Sequence, residues 1–113
     1  MKSHDLLYIR DIIESLSKIE ACINGLPEDK FIKSEEKQAL VVFNLQIIGE
    51  ASSKISTELK KKHPDVNWRK LTWMRNFIVH EYFNITPKTV LFTARNDLPG
   101  IKKQILEIEK ELR

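Results

Sequence analysis

Ile9, Ile12, Ile13, Leu16, Ile19 and Ile23 recur at intervals of three and four, while Arg10, Asp11, Glu14, Lys18 and Glu20 largely fill the positions between them. A stripe with that period covers one face of an α-helix, whereas a strand alternates every two residues. The same rule governs the far end of the chain, where Leu98, Ile101, Ile105, Ile108 and Leu112 lie inside and Lys102, Lys103, Glu107, Lys110 and Glu111 outside. No stretch alternates with a period of two between hairpin turns, so the expected fold class is all-α.

Helix punctuation divides the interior. Asn24-Gly25-Leu26-Pro27 stops the first helix, and Glu28 to Lys33 reads as a short connection. Ser34 before Glu35 and Glu36 is an N-cap with acids in the first turn, predicting a long second helix that runs toward Lys62. A wheel of about 100° per residue with Leu40 at zero gathers Phe43, Ile47, Ala51, Ile55 and Leu59 on a neighbouring arc, with Asn44 inside it. Gly49 costs roughly 1 kcal/mol relative to Ala in a helix interior, which implies close approach of another segment. His63-Pro64-Asp65-Val66-Asn67 breaks the chain, and a third helix is expected from Trp68 or Arg69 to Phe83-Asn84. Thr86 caps a fourth helix with Pro87 at its first position, and Asn96 to Gly100 marks a corner before the last. With 113 residues and 42% hydrophobic content, the expectation is a single domain over 1–113, an up-and-down bundle of four to five helices.

The single Cys22 has no intramolecular disulfide partner, which points to a reducing, cytoplasmic location. Charges interrupt the first apolar residues too early for a signal-peptide core, and the stretch from Ala39 to Ile48 is about half the length that crosses a bilayer, so no membrane association is expected. The formal charge of +3 and pI near 9.0 permit an anionic partner such as RNA without demanding one. His4, His63 and His80 are scattered and, with Cys22, form no recognised ligand spacing; no metal or cofactor is expected.

Met74-Arg75-Asn76-Phe77-Ile78-Val79-His80-Glu81-Tyr82 is the most chemically loaded window. His can take a proton from a ribose 2′-hydroxyl or give one to the departing 5′-oxygen, and Arg can stabilise charge on the phosphorane-like transition state, all without a metal. On a helical wheel with Arg75 at zero, Tyr82 falls at about 340° and His80 at about 140°, so a continuous helix shares Arg75 with Tyr82 but separates it from His80. A composite site between the two chains of a homodimer would reunite them. Residue by residue the plainer readings are structural: a lone Arg, His or Tyr on a half-apolar helix usually makes hydrogen bonds. Lys60-Lys61-Lys62 suits a solvated helix end, with a contact to RNA backbone as the alternative, and Trp68 and Trp73 suit core or interface anchors, with stacking on bases as the lesser reading.

Arg75-x4-His80-x-Tyr82, with Met74 before it and Asn76 inside it, resembles the R-x4-H-x-Y signature of the HepT-like branch of HEPN proteins. Asn44, Gly49-Glu50-Ala51, His63-Pro64, Trp68-Arg69, Phe83 and Asp97-Leu98-Pro99 extend the likeness over nearly the whole chain. The resemblance implies a dimeric HEPN-like helical bundle. It also implies a metal-independent endoribonuclease toxin, paired with a minimal nucleotidyltransferase antitoxin that silences it by transferring AMP to the motif tyrosine. Carried over, Arg75 and His80 become the catalytic pair and Tyr82 the modified residue. Asn76 becomes a phosphate or backbone contact, with Asn44 and Glu50 as further polar groups facing the cleft. The alternative is a non-catalytic HEPN module that binds nucleotide and partners a nucleotidyltransferase.

Overall fold

The computed structural model describes residues 3–77 and 86–113. These form α1 (Ser3–Ile23), α2 (Glu28–Ile32), α3 (Glu35–Ser53), α4 (Thr57–Lys62), α5 (Trp68–Trp73), α6 (Pro87–Phe92) and α7 (Leu98–Leu112), and no strand occurs among them. No helix among the described residues is long and apolar enough to cross a membrane.

The expected stripe of α1 is its buried face: Ile9, Ile12, Leu16, Ile19 and Ile23 are all in the core, and Ile13 packs against it. α1 lies between two antiparallel neighbours. Toward α7, Arg10 Nε meets Glu109 Oε2 at 3.2 Å and Lys102 Nζ meets Glu20 Oε1 at 2.6 Å. Toward the α3 side, Asp5 contacts Ser56 just beyond the end of α3. Leu98, Ile101, Ile105 and Ile108 of α7 close the core from the far side as their spacing predicts. Gly25, at φ +69°, lets the chain reverse after α1.

Four sequence expectations change. The segment from Glu28 is a one-turn helix that buries Phe31. The second helix is two helices, because the chain breaks at Lys54-Ile55-Ser56 and restarts with Ser56 as the cap of α4. Its buried face is also different: Val41, Leu45 and Ile48 are fully or almost fully enclosed, whereas Leu40 is 42% and Phe43 62% exposed. α3 is packed on more than one side and carries apolar residues nearly all round, so a single arc does not identify its inner face. The expected corner at Asn96–Gly100 is instead a π-helical turn, Thr93–Asp97, joining α6 directly to α7. Pro99 has no N–H to donate and would crowd the preceding turn of a regular α-helix; the wider turn relieves both. Arg95 in that turn donates to the carbonyls of Ile23 and Leu26, closing the end of α1.

One buried carboxylate ties α1 to α4. Asp5 is 5% exposed; its Oδ1 accepts the Ser56 N–H at 2.9 Å and its Oδ2 the Ser56 hydroxyl at 2.6 Å, while Ser56 Oγ accepts the Leu59 N–H at 3.1 Å. Hydrogen bonds to a charged group each contribute about 1.5–3 kcal/mol. Asp5→Ala therefore lowers the unfolding free energy by about 2–3 kcal/mol in urea titration, and a loss below about 0.5 kcal/mol contradicts this role for the carboxylate.

Candidate functional site

The loaded window begins where α5 ends. Asn67 starts α5, its Oδ1 accepting the Lys70 N–H at 3.0 Å, and Leu71 and Met74 are fully buried beneath it. The helix does not run on to Phe83-Asn84 as the sequence predicts. It tightens into a 3-10 turn at Met74–Asn76, and Phe77 is extended, with φ −69° and ψ 126°. The wheel that separates Arg75 from His80 does not apply across that break. His80 and Tyr82 lie outside the described residues, as do Ile78, Val79 and Glu81.

α3 holds this turn at three successive points. Gln46 Nε2 donates to the Phe77 carbonyl at 2.6 Å, and the Ser52 and Thr72 hydroxyls lie 3.2 Å apart. Between them is Gly49, where an added Cβ would stand 2.3 Å from the Arg75 nitrogen and 2.7 Å from its Cβ. Gln46, Gly49 and Ser52 are three residues apart, so they form one polar, small-residue stripe of α3. The sequence does announce the close approach at Gly49. The regular spacing of Gln46 and Ser52 about it is the further signal, legible only once the crossing segment is known.

With its backbone fixed there, Arg75 keeps its side chain 48% exposed, and one guanidinium nitrogen lies 3.7 Å from Glu50 Oε1. This is a loose surface pair, worth about 0–1 kcal/mol. Arg75 and Asn76 form a rim between two open grooves. One, of about 470 Å³, is bordered by Phe43, Gln46, Ile47 and Glu50. The other, of about 400 Å³, is bordered by Lys60, Trp68, Arg69, Thr72 and Trp73. The structure thus brings Arg75, Asn76 and Glu50 together. Asn44 borders neither groove: it is 4% exposed, its Nδ2 donates to the Leu40 carbonyl at 2.9 Å, and its buried Oδ1 has no hydrogen-bond partner among the described residues.

Trp73 is nearly half exposed and meets Phe77 edge to face, with centroids 4.8 Å apart. Trp68 is the anchor that its composition suggests, packing on the core and donating its indole N–H to the His63 carbonyl at 2.9 Å. Burial draws the Lys60 ammonium below its usual range, against the opposing influence of the Asp5 carboxylate. Burial also pushes the Cys22 thiol up, outweighing Lys37, which disfavours the nucleophilic thiolate. Among the described residues no three His, Cys, Asp or Glu side chains gather at one point.

The model of the Ribonuclease HepT-like family matches residues 12–108. This chain belongs to that family. A Thermococcus cleftensis protein named "Probable ribonuclease HepT" is 31% identical over 110 residues, covering 97% of this chain and all of the relative. "Putative RNase MJ1216" of Methanocaldococcus jannaschii is 31% identical over 93% of this chain and 87% of its own length. "Putative RNase TTE0752" of Caldanaerobacter subterraneus subsp. tengcongensis is 29% identical over 89% and 90%. No solved structure gives a significant match. The span matched to the HepT-like family takes in the α3 stripe, the Arg75 turn and the undescribed positions His80 and Tyr82.

Gly49→Ala tests the seat of Arg75. Alanine is the better helix former by up to about 1 kcal/mol, but a methyl 2.3 Å from a backbone nitrogen forces α3 and the turn apart. Overpacking of this kind costs about 1–3 kcal/mol. Thermal denaturation is expected to show a lower Tm for Gly49→Ala; an unchanged or higher Tm would mean that the contact yields freely.

Proposed function

We propose that this chain is a metal-independent endoribonuclease, the toxin of a toxin–antitoxin pair, and that it acts as a homodimer in the cytoplasm. The observation that carries the reading is Arg75. Its backbone is seated on Gly49, its guanidinium stands at an open rim, and its neighbour Glu50 holds it only loosely. A phosphodiester entering the rim competes with an exposed pair of small worth, and phosphate suits the guanidinium fork at least as well as carboxylate does. Asn76, beside Arg75 in both grooves, supplies an amide for the same backbone. Phe77 leaves the turn in an extended conformation.

In this reading His80 takes the proton from the ribose 2′-hydroxyl. The 2′-oxygen attacks the adjacent phosphorus as the bond to the 5′-oxygen breaks, and a proton is returned to that leaving oxygen. Arg75 stabilises the charge that grows on the non-bridging oxygens. The products are a 2′,3′-cyclic phosphate and a 5′-hydroxyl. Because the nucleophile is part of the substrate, the step consumes no co-reactant.

Dimerisation draws support from the strip of α3 beside Glu50, where Leu40 and Phe43 are exposed. The antitoxin in this reading is a minimal nucleotidyltransferase. The Tyr82 phenol loses its proton and attacks the α-phosphorus of ATP, pyrophosphate leaves, and AMP remains on the oxygen. In this reading the AMP on Tyr82 inhibits by competing, as a bulky anion, with RNA phosphate for Arg75.

Purified protein incubated with RNA in EDTA is expected to leave 2′,3′-cyclic ends, with His80→Ala and Arg75→Ala each slowing cleavage about 100-fold or more. Cleavage by His80→Ala at the wild-type rate removes that residue from the mechanism. No cleavage by any of the proteins favours the nucleotide-binding interaction module instead. Tyr82→Phe is expected to take up no label from α-phosphate-labelled ATP in the presence of the cognate transferase; undiminished labelling moves the acceptor elsewhere.

A further inference from the structure

The groove on the far side of Arg75 from Glu50 gathers cations and an exposed aromatic ring around one depression. Several neighbouring or facing cations of the bundle are matched: Lys62 with Glu111 at 2.6 Å, Lys70 with Asp97 at 2.7 Å, Lys102 with Glu20 at 2.6 Å. Lys60 and Arg69 are close in sequence to two of these pairs, yet neither has a carboxylate within ion-pairing distance among the described residues, and no acid borders their groove. Two cations with no described carboxylate at ion-pairing distance therefore stand with Arg75 around one depression of about 400 Å³, within the roughly 300–1,000 Å³ typical of ligand sites. Trp73 borders it as well, 46% exposed although large aromatic side chains gain much from burial. Phe77 braces its ring from the side, and the hydroxyl contact between Thr72 and Ser52 steadies the adjoining residue.

We infer that the groove of Lys60, Arg69 and Trp73 is a subsite for a nucleotide of single-stranded RNA flanking the cleaved bond, with Trp73 stacking its base and Lys60 and Arg69 holding its phosphates. The inference rests on the ribonuclease reading for the identity of the strand. Arg75 and Asn76 border both grooves, so a strand that leaves the scissile phosphate can pass from one to the other along these two residues. Unmatched cations attract any polyanion, and the exposed indole selects among them. A duplex keeps its bases stacked inside and offers phosphates and 2′-hydroxyls, whereas a single strand offers a free base face. The subsite is therefore selective for unpaired RNA and tolerant of base identity.

The test uses the full chain and a fluorescent single-stranded RNA methylated at every 2′-oxygen, which lacks the attacking hydroxyl and stays intact, with its duplex as the comparison. Trp73→Leu is expected to weaken single-strand binding about tenfold, within the range for loss of one stacked base, and to leave duplex binding nearly unchanged. Lys60→Gln and Arg69→Gln, substitutions of partly or fully exposed side chains, are each expected to lower the slope of log affinity against log salt by about 0.7, the change for one single-strand phosphate contact. Tryptophan fluorescence of the wild type is expected to be quenched by the single strand, and in Trp73→Phe, which keeps an aromatic ring against Phe77, that quenching is expected to vanish. Unaltered affinity and salt slope in all the groove variants overturns the subsite, as does no binding of the single strand by the wild type. Cleavage of unmodified RNA that persists in Arg75→Ala and His80→Ala, alongside weakened binding by the groove variants, supports the subsite and overturns the catalytic assignment.

Discussion

The contact between Gly49 and the Arg75 backbone sets the geometry around the site. With even a methyl group on α3 at that point, the following segment could not cross where it does. Gln46 and Ser52 extend the contact to either side, so the turn is held on a rigid helix through main-chain and short polar contacts. The root of Arg75 is fixed while its tip is not. A guanidinium that retains torsional freedom can follow the phosphate oxygens as their charge and geometry change, at the cost of some entropy on binding.

α3 is able to serve in this way because it is enclosed by other elements. α1 packs along α3, whose Val41, Leu45 and Ile48 are buried, while α5 and its 3-10 extension cross the stripe at Gly49. What remains uncovered is the band that includes Leu40, Phe43 and Glu50, next to the guanidinium of Arg75. The polar rim and the exposed apolar strip are thus neighbours on one helix.

The outer helices were legible in the sequence because each buries a single face, so the spacing of Ile9 to Ile23 and of Leu98 to Ile108 matches the burial directly. The Thr86 and Pro87 start was legible for the same local reason: Thr86 Oγ1 accepts the Thr89 N–H at 3.2 Å. Three of the departures depend on distant partners. The break before α4 is completed by Asp5, 51 residues away in the chain. The end of α5 is held by Gln46 on the Phe77 carbonyl. The inner face of α3 is set by which neighbours cover it. At the site, the crowding at Gly49 and the proximity of Glu50 to Arg75 follow the sequence reading, while the basic groove with exposed Trp73 emerges only when α4 and α5 are brought side by side.

Asp5 gives the first turn of α1 a reach far beyond its own surroundings. It holds the start of α4, and one turn further along α4 carries Lys60 to the edge of the basic groove. The first turn of α1 thus acts as a set-screw for the cation at that edge, whose ammonium also feels the Asp5 carboxylate. A change to that first turn that leaves the core untouched would still be felt in the placement of positive charge beside Arg75.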